Sequence, residues 1–363
     1  MKVLITILDA ITETSMPFNE FVLYRANHIE DEKQILIVCD CKKELPKVNI
    51  PDTITIERVG WNLGNLRKAI GKHIDYCEAN KIPYAIHMHQ NKSAVLAHFA
   101  MLGTGFRKKV LFTTHNTFSG FPFHNKVQSF FCGLMSNYVV CCSNSAFDGY
   151  PSVLKKIKGD HAGAIQNGVD TERIDSLLTA NEQTEGSMVQ FVYVARMTPV
   201  KNHKFLLDVI DTCEPDAHFV FIGATNENIL AQIKERHLEK KIECMGLIPR
   251  NEVFKVLQQS DVYISPSVLE GLPVSVLEGM YVGLSAILSN IPQHAEVSQD
   301  DRLVRLLPLD KIQWVKAINE TVLQKEKLAG MGHDSRKYIK ENFSLERMHT
   351  NYSKIYELLR GIC

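Results

Sequence analysis

The sequence lacks both a hydrophobic run long enough to cross a membrane and cysteine pairs at metal-binding spacing. Crossing a bilayer takes about 20 apolar residues, and the apolar stretch at residues 3–8 is also too short for the core of a signal peptide. Nine cysteines lie at irregular spacings without a paired C-x-x-C, which favours free thiols in a reducing compartment over a zinc site. We therefore expect a cytoplasmic protein whose cysteines are buried or lie at strand ends.

The sequence also lacks a net charge: 41 Lys and Arg residues balance 41 Asp and Glu residues. The balance is uneven along the chain: residues 1–170 carry +4 and the remainder carries −4. No basic run is interleaved with aromatic residues, so nucleic acid is not an expected partner. The basic bias of the first half favours an anionic partner or peripheral contact with the cytoplasmic face of a membrane.

No internal repeat or low-complexity segment is present, and 363 residues exceed the size at which one hydrophobic core keeps growing. Short β-branched runs such as KVLITIL, VLFTT, FVYVAR and DVYIS alternate with amphipathic stretches. Strands this apolar are typical of parallel sheets that helices cover on both faces. We predict doubly wound domains at residues 1–170 and 188–343, a polar linker at 171–187 and a C-terminal helix from residue 344 to 363.

Two glutamates stand out in SPSVLEGLPVSVLEGMYVG, residues 265–283. Pro273 suits the first turn of a helix and Gly283 suits its end, so residues 273–282 are predicted to be helical. Helical spacing puts Glu278 on the apolar face of this helix. A buried carboxylate needs hydrogen-bond donors, and ligand hydroxyls would supply them.

Glu270 precedes the same helix, whose positive dipole end and free N–H groups suit a phosphate. The backbone that would line this space comes from Gly271, Leu272, Pro273 and Val274. A carboxylate at each end and donors between them suit a nucleotide sugar, which has hydroxyls at both ends and a diphosphate in the middle. Two alternatives stay open: Glu278 accepts from backbone amides or pairs with a lysine, and Glu270 is a helix cap.

This stretch resembles the signature S-x-x-E-G-x-P-x-x-x-x-E-A-M-A-x-G of the retaining GT-B glycosyltransferases of family four. V-A-R-M-T-P-V-K-N-H at 194–203 and Q-N-G-V-D at 166–170 are similar to further family segments. The resemblance implies an α/β protein of GT-B architecture, with two Rossmann-like domains whose parallel sheets face each other across a cleft. The N-terminal domain would then lie on the acceptor side, the C-terminal domain would bind the nucleotide sugar, and the final helix would cross back to the first domain.

The resemblance also implies roles for individual residues in the second half. Glu278 would bind the ribose hydroxyls, Glu270 the hydroxyls of the donor sugar, and Arg196 with Lys201 the diphosphate; the alternative for the last two is an ordinary surface pair. The family needs no metal, and the sequence offers no Asp-x-Asp at a strand end to contradict that. No cofactor is expected beyond the donor substrate, for which UDP-sugars are the commonest family choice.

In the first half, the resemblance implies that His115, after the strand VLFTT, lies near the donor sugar and the reacting centre. His87 and His89 are candidate acceptor-side residues that would face the cleft. Two loops depart from the family pattern: LDAITETSMPFNEF lacks the usual glycines, and IPQHAEV keeps only Glu296.

Taken together, these features predict a retaining glycosyltransferase that moves a sugar from a nucleotide diphosphate to a hydroxyl of a glycan or lipid-linked acceptor. Bacterial surface polysaccharide biosynthesis is the expected setting. Two alternatives remain open at this point. One is a GT-B sugar-nucleotide epimerase, and the other is a non-catalytic protein that binds nucleotide sugars.

Overall fold

The computed structural model describes residues 1–12, 17–42, 49–104, 109–178, 188–213 and 217–361. The chain divides into two compact units, one formed by Met1–Gly168 with Leu345–Cys363 and the other by Val169–Ser344. In the described ranges, no helix combines the length and the hydrophobicity needed to cross a membrane.

The first unit is built on a sheet of seven parallel strands in the order β3-β2-β1-β4-β5-β6-β7. The strands are β1 Lys2–Leu8, β2 Glu32–Val38, β3 Ile54–Arg58, β4 Tyr84–Met88, β5 Val110–Thr114, β6 Tyr138–Cys141 and β7 Ala162–Ala164. Almost every residue of β1, β4 and β5 is buried. Both faces of the sheet are therefore covered, as the unbroken apolar runs predict.

Helices cover the first sheet, and the last helix of the chain belongs to this unit. A π-helical segment, Pro17–Leu23, leads into α1. The helices are α1 Tyr24–His28, α2 Leu63–Ala79, α3 Asn91–Ala100, α4 Phe123–Met135, α5 Asn144–Asp148, α6 Ser152–Lys158 and, from the end of the chain, α15 Leu345–Arg360. Met348, Tyr352 and Tyr356 of α15 are buried in one cluster with apolar residues of the sheet.

The second unit has six parallel strands in the order β10-β9-β8-β11-β12-β13. The strands are β8 Val189–Val194, β9 Ala217–Ile222, β10 Ile242–Gly246, β11 Val262–Ser265, β12 Ser285–Ser289 and β13 Val304–Leu307. The helices are α7 Thr171–Leu177, α8 His203–Ile210, α9 Glu227–Glu235, α10 Arg250–Gln258, α11 Val274–Val282, α12 Pro292–Ala295, α13 Lys311–Leu323 and α14 Lys325–Asn342. This is the doubly wound order in which the winding direction reverses between the first and fourth strands, here β8 and β11.

The predicted α/β class with two parallel sheets is confirmed. The short strands β7 and β13 were not predicted. Residues 171–177 form α7 within the second unit rather than a linker, because Asp170 caps the helix through the Arg173 N–H at 3.0 Å and Ile174 is buried. Leu178 is the C-cap residue of α7, and the remaining predicted linker residues, from 179 to 187, lie outside the described residues.

Candidate functional site

Two loops meet where the second sheet reverses its winding. The chain leaves β8 through a 3₁₀ turn, Pro199–Lys201, and leaves β11 through the loop that carries Glu270. The N–H of Val268 donates to the carbonyl of Val200 at 2.9 Å and so joins the two loops. Ligands of open parallel sheets bind at this position, because the loops on either side of the reversal diverge and leave a crevice.

Lys201 and Glu270 form an ion pair across these loops. The ammonium of Lys201 donates to both carboxylate oxygens, at 2.6 Å to Oε1 and 2.7 Å to Oε2. The side chain of Glu270 is 10% exposed and that of Lys201 is 22% exposed, so the pair is largely shielded from water but reachable. Two residues 69 positions apart, both predicted to bind the donor, are thus brought together.

A buried tyrosine forms hydrogen bonds with both loops that carry the Lys201–Glu270 pair. The hydroxyl of Tyr193, on β8, donates to the carbonyl of Lys201 at 2.9 Å and lies 3.0 Å from Oγ of Ser267. Ser267 lies three residues before Glu270 in the loop after β11, so one hydroxyl fixes both loops. Nothing in the sequence distinguishes Tyr193 from other aromatic strand residues, and we did not predict this contact.

Glu278 lies on the buried face of α11, as helical spacing predicts, and is 5% exposed. Its Oε1 accepts from the guanidinium of Arg250, the first residue of α10. Oε2 has no hydrogen-bond partner among the described residues. The sequence left a lysine open as the partner of Glu278, and the structure shows an arginine instead. Oε2 of Glu278 remains available to a ligand.

The entry to α11 differs from the prediction in one respect. Pro273 is the N-cap residue and is buried, and the helix begins at Val274. The N–H of Val274 donates to the carbonyl of Leu272 at 2.9 Å. The prediction that this N–H is free was therefore wrong. The chain turns tightly at the proline N-cap and so brings the two groups together. The N–H of Leu272 has no hydrogen-bond partner within the described ranges, and Gly271 lies half-buried in the same turn.

Close packing holds α11 against the sheet. A Cβ added to Gly279 would lie 2.5 Å from Cδ2 of Tyr263, on β11. The hydroxyl of Tyr263 donates to Oγ of Ser275 at 2.8 Å. The alanine of the family pattern is replaced by glycine here because the ring of Tyr263 occupies the space of a methyl group.

Arg196 follows the end of β8 by two residues, and its side chain is exposed. Among the described residues, no acidic side chain pairs with it. The strand ends are packed closely at this point, since a Cβ on Gly223, whose φ is +140°, would lie 2.4 Å from the carbonyl oxygen of Ala195. The structure thus gives Arg196 and Lys201 different surroundings at the same end of the sheet.

In the first unit, His89 and His115 follow neighbouring strands and touch. Nδ1 of His89 lies 3.1 Å from Nε2 of His115, and the two rings are stacked. Burial lowers the pKa of His115 to about 4, so this imidazole is neutral at pH 7. Burial likewise lowers the pKa of five other histidines: His87, His89, His203, His294 and His349.

The prediction that His87 is an accessible acceptor-side residue was wrong. His87 is fully buried in β4. Its Nδ1 lies 2.6 Å from the hydroxyl of Tyr356 on α15, and its Nε2 lies 2.8 Å from Oγ1 of Thr113 on β5. The last helix of the chain covers the strand at this point, which the sequence of β4 alone could not reveal.

Comparisons with known proteins agree with this architecture. Residues 179–338 match the family described as Glycosyl transferases group 1. The capsular polysaccharide biosynthesis glycosyltransferase CapH of Staphylococcus aureus is 28% identical over 215 residues, which cover 56% of this chain and 58% of the relative. An Escherichia coli UDP-Gal:alpha-D-GlcNAc-diphosphoundecaprenol alpha-1,3-galactosyltransferase is 26% identical over 57% of each protein. The likeness to the group 1 glycosyltransferases therefore lies in the second unit of the chain.

Solved structures extend the likeness to the whole chain at the level of fold. Sucrose-phosphate synthase from Thermosynechococcus elongatus superposes with a TM-score of 0.80 at 14% identity, covering 100% of both chains. Anabaena HepE, solved in complex with UDP and glucose, superposes with a TM-score of 0.74 at 14% identity, covering 98% of both chains. The GT-B fold is therefore shown. The chain spans somewhat less than three fifths of the first curated relatives, at 58%, 58% and 57% of their lengths.

Proposed function

We propose that this protein is a group 1 glycosyltransferase, a retaining and metal-independent enzyme that transfers a sugar from a UDP-sugar to a hydroxyl of a glycan or lipid-linked acceptor. Bacterial surface polysaccharide biosynthesis is the proposed setting, and the name of CapH, a capsular polysaccharide biosynthesis glycosyltransferase, supports it. The observation that carries the proposal is the Lys201–Glu270 pair at the winding reversal, with Glu278 on the adjoining helix.

The donor contacts follow from these groups. The free oxygen of Glu278 would accept from ribose hydroxyls, and Glu270 would accept from hydroxyls of the sugar. Lys201 and the exposed Arg196 would bind the diphosphate. As the glycosidic bond breaks, negative charge grows on the leaving diphosphate, and fixed cations stabilise that charge more in the transition state than in the ground state.

Retention is proposed to proceed by front-face displacement. No residue of the second-unit site is an evident covalent nucleophile, so a departing phosphate oxygen would take the proton of the acceptor hydroxyl as the new bond forms. His115 is the proposed first-unit residue near the reacting centre. Because its ring is neutral at pH 7, it would act as a hydrogen-bonding group rather than as a cation.

Donor binding and turnover test this proposal. UDP and UDP-sugars should raise the melting temperature of the protein. A free ligand concentration of about 100 times Kd corresponds to an increase of about 2.7 kcal/mol in the free energy of unfolding. Incubation with a UDP-sugar and a lipid-linked or glycan acceptor should release UDP and give a product with the anomeric configuration of the donor, without added metal. Formation of an isomer from the nucleotide sugar alone would favour an epimerase. UDP binding without turnover on any acceptor would favour a non-catalytic binding protein.

Peripheral contact with the cytoplasmic face of a membrane is part of the proposal, and helices α4 and α6 of the first unit support it. Five of their apolar side chains are between 44% and 82% exposed: Phe123, Val127, Leu134, Val153 and Ile157. Lys126 lies on α4, and three lysines lie on α6, while neither helix contains Asp or Glu. Two helices that expose apolar side chains and carry lysines without acidic residues suit anionic lipid headgroups.

Flotation with lipid vesicles tests this contact. The protein should bind vesicles containing phosphatidylglycerol and should not bind vesicles of phosphatidylcholine alone. Phe123→Glu combined with Ile157→Glu should abolish binding, whereas Leu323→Glu, at an equally exposed leucine of the second unit (84%), should not. Binding that survives the double substitution would exclude this surface.

A further inference from the structure

His294 is a buried histidine next to the candidate donor site to which neither the family pattern nor the proposed mechanism gives a role. It lies on the short helix α12, directly after β12, in the loop that lacks the glycines of the family pattern. Its side chain is 0% exposed. A polar ring buried this completely must have its hydrogen bonds accounted for.

One ring nitrogen of His294 has a fixed role. Nδ1 lies 2.9 Å from the carbonyl oxygen of Ser289 and 3.0 Å from Oγ of the same residue. A carbonyl only accepts. The hydroxyl of Ser289 donates its single proton to the carbonyl of Ser267, so toward the imidazole it also accepts. Both contacts therefore require that Nδ1 of His294 carries the proton.

The other nitrogen is then a bare acceptor. Burial lowers the pKa of His294 to about 4, so at pH 7 the ring is neutral and Nε2 keeps its lone pair. Nε2 is buried, and none of the described residues gives it a hydrogen-bond donor. A donor from outside the protein would satisfy it.

The hydrogen bonds of His294 place its ring beside the candidate donor site of the second unit. Besides burial, the charges of Glu270 and Lys201 act on the pKa of His294, the first raising it and the second lowering it. Ser267, which accepts from Ser289, bonds through its own hydroxyl to Tyr193 at 3.0 Å, beneath the Lys201–Glu270 pair. The ring is thus held by the same hydrogen-bond network that positions the pair.

We propose that Nε2 of His294 accepts a hydrogen bond from a hydroxyl or amide N–H of the donor sugar, which makes His294 a specificity-determining residue. This inference rests on the proposed function, because it takes the ligand to be a nucleotide sugar. A bare lone pair repels phosphate oxygens and the carbonyl of an acyl group, so the partner is a sugar O–H or N–H and not the diphosphate. Sugars that lack this group leave a buried acceptor unpaired and are rejected.

Two substitutions separate this role from packing. His294→Asn keeps an N–H near the position of Nδ1, where it can still donate to Ser289, and removes the acceptor. His294→Gln carries an amide oxygen near the position of Nε2 and so restores an acceptor. His218→Asn, at a half-buried histidine of β9, is the matched control. Thermal unfolding shows whether each variant folds.

The experiment measures binding of UDP, UDP-glucose, UDP-galactose and UDP-N-acetylglucosamine by calorimetry, followed by the monodeoxy forms of the tightest UDP-sugar. His294→Asn should bind that sugar about tenfold more weakly and UDP equally well, with His294→Gln between it and the wild type. One monodeoxy analogue should bind the wild type about tenfold more weakly than the parent UDP-sugar does. The same analogue and the parent UDP-sugar should bind His294→Asn with equal affinity, since the substitution and the missing hydroxyl remove the same hydrogen bond.

Equal loss of UDP and UDP-sugar affinity in His294→Asn, or fully additive losses for every analogue, would overturn the inference and leave the proposed function standing. Absence of binding of any of the four probes to the wild type would overturn both. His218→Asn should match the wild type throughout.

Discussion

The Lys201–Glu270 pair gives the sharpest test of the site, through the substitutions Lys201→Met, Glu270→Gln and the two combined. The ammonium contacts both carboxylate oxygens at 2.6 and 2.7 Å, and the side chains are 22% and 10% exposed. Exposed ion pairs contribute about 0–1 kcal/mol, whereas breaking a buried pair costs about 3–5 kcal/mol. A pair of intermediate exposure should give a coupling energy of about 2 kcal/mol.

Two measurements on the same four proteins separate structure from function. Urea unfolding gives the free energy of unfolding, in which each single variant should be destabilised and the double variant should recover most of the loss, because neither charge is then left alone. The kcat/KM for a UDP-sugar should instead fall about 100-fold in each single variant and should not recover in the double variant, because both groups act on the ligand. Lys204→Met, at an exposed lysine on α8 three residues after Lys201, is the matched control.

The reasoning would be refuted by a coupling energy below about 0.5 kcal/mol, which is the usual limit for independent sites. It would also be refuted by a double variant whose kcat/KM returns to the wild-type value. The first result would mean that the two groups do not form a pair in solution, and the second that the pair is a structural contact.

Three further predictions concern the nucleotide, pH and packing. Glu278→Ala should weaken UDP binding about tenfold, since it removes a charged hydrogen-bond acceptor, while Glu235→Ala on the exposed end of α9 should not; equal binding in both would exclude Glu278 from the nucleotide site. Burial lowers the pKa of His115, His203 and His294 to about 4, so these rings are neutral when folded, but each takes up a proton at its ordinary pKa of 6.5 when unfolded. The unfolded state thus binds more protons between pH 6.5 and about 4, so stability is fully present above this window and falls with pH inside it, by up to about 1.4 kcal/mol per pH unit for each histidine; urea midpoints that do not decrease from pH 7.5 to 5.5 would contradict this. Gly279→Ala should destabilise by about 1–3 kcal/mol because its methyl group would clash with Tyr263, and Gly71→Ala, where a Cβ meets nothing within 4 Å, should not; equal unfolding midpoints would contradict the packing argument.

Much of the second unit could be predicted from the sequence because its signals are local. Pro273 and Gly283 mark the bounds of α11 through backbone conformation alone: the glycine ends the helix with φ at +117°. Helical spacing alone indicates that Glu278 is buried. Apolar runs without alternation indicated parallel sheets covered on both faces. The local sequence wrongly predicted a linker where α7 forms. One buried residue and an aspartate N-cap were sufficient to make this polar segment helical.

The partners of these residues are decided by tertiary structure, since they come from distant parts of the chain. The arginine that pairs with Glu278 lies 28 positions away, and Glu270 lies 69 positions from Lys201. His87 looks like a candidate site residue in sequence, yet the helix that buries it begins more than 250 residues later. The sequence by itself determined most of the elements, the burial of Glu278 and the likeness to a family in the second unit, because periodicity and capping act over a few residues. The hydrogen-bond partner of each buried polar group was decided only by the tertiary structure. The order of the strands in the sheet determines which groups become neighbours, and each buried polar atom needs a partner among those neighbours.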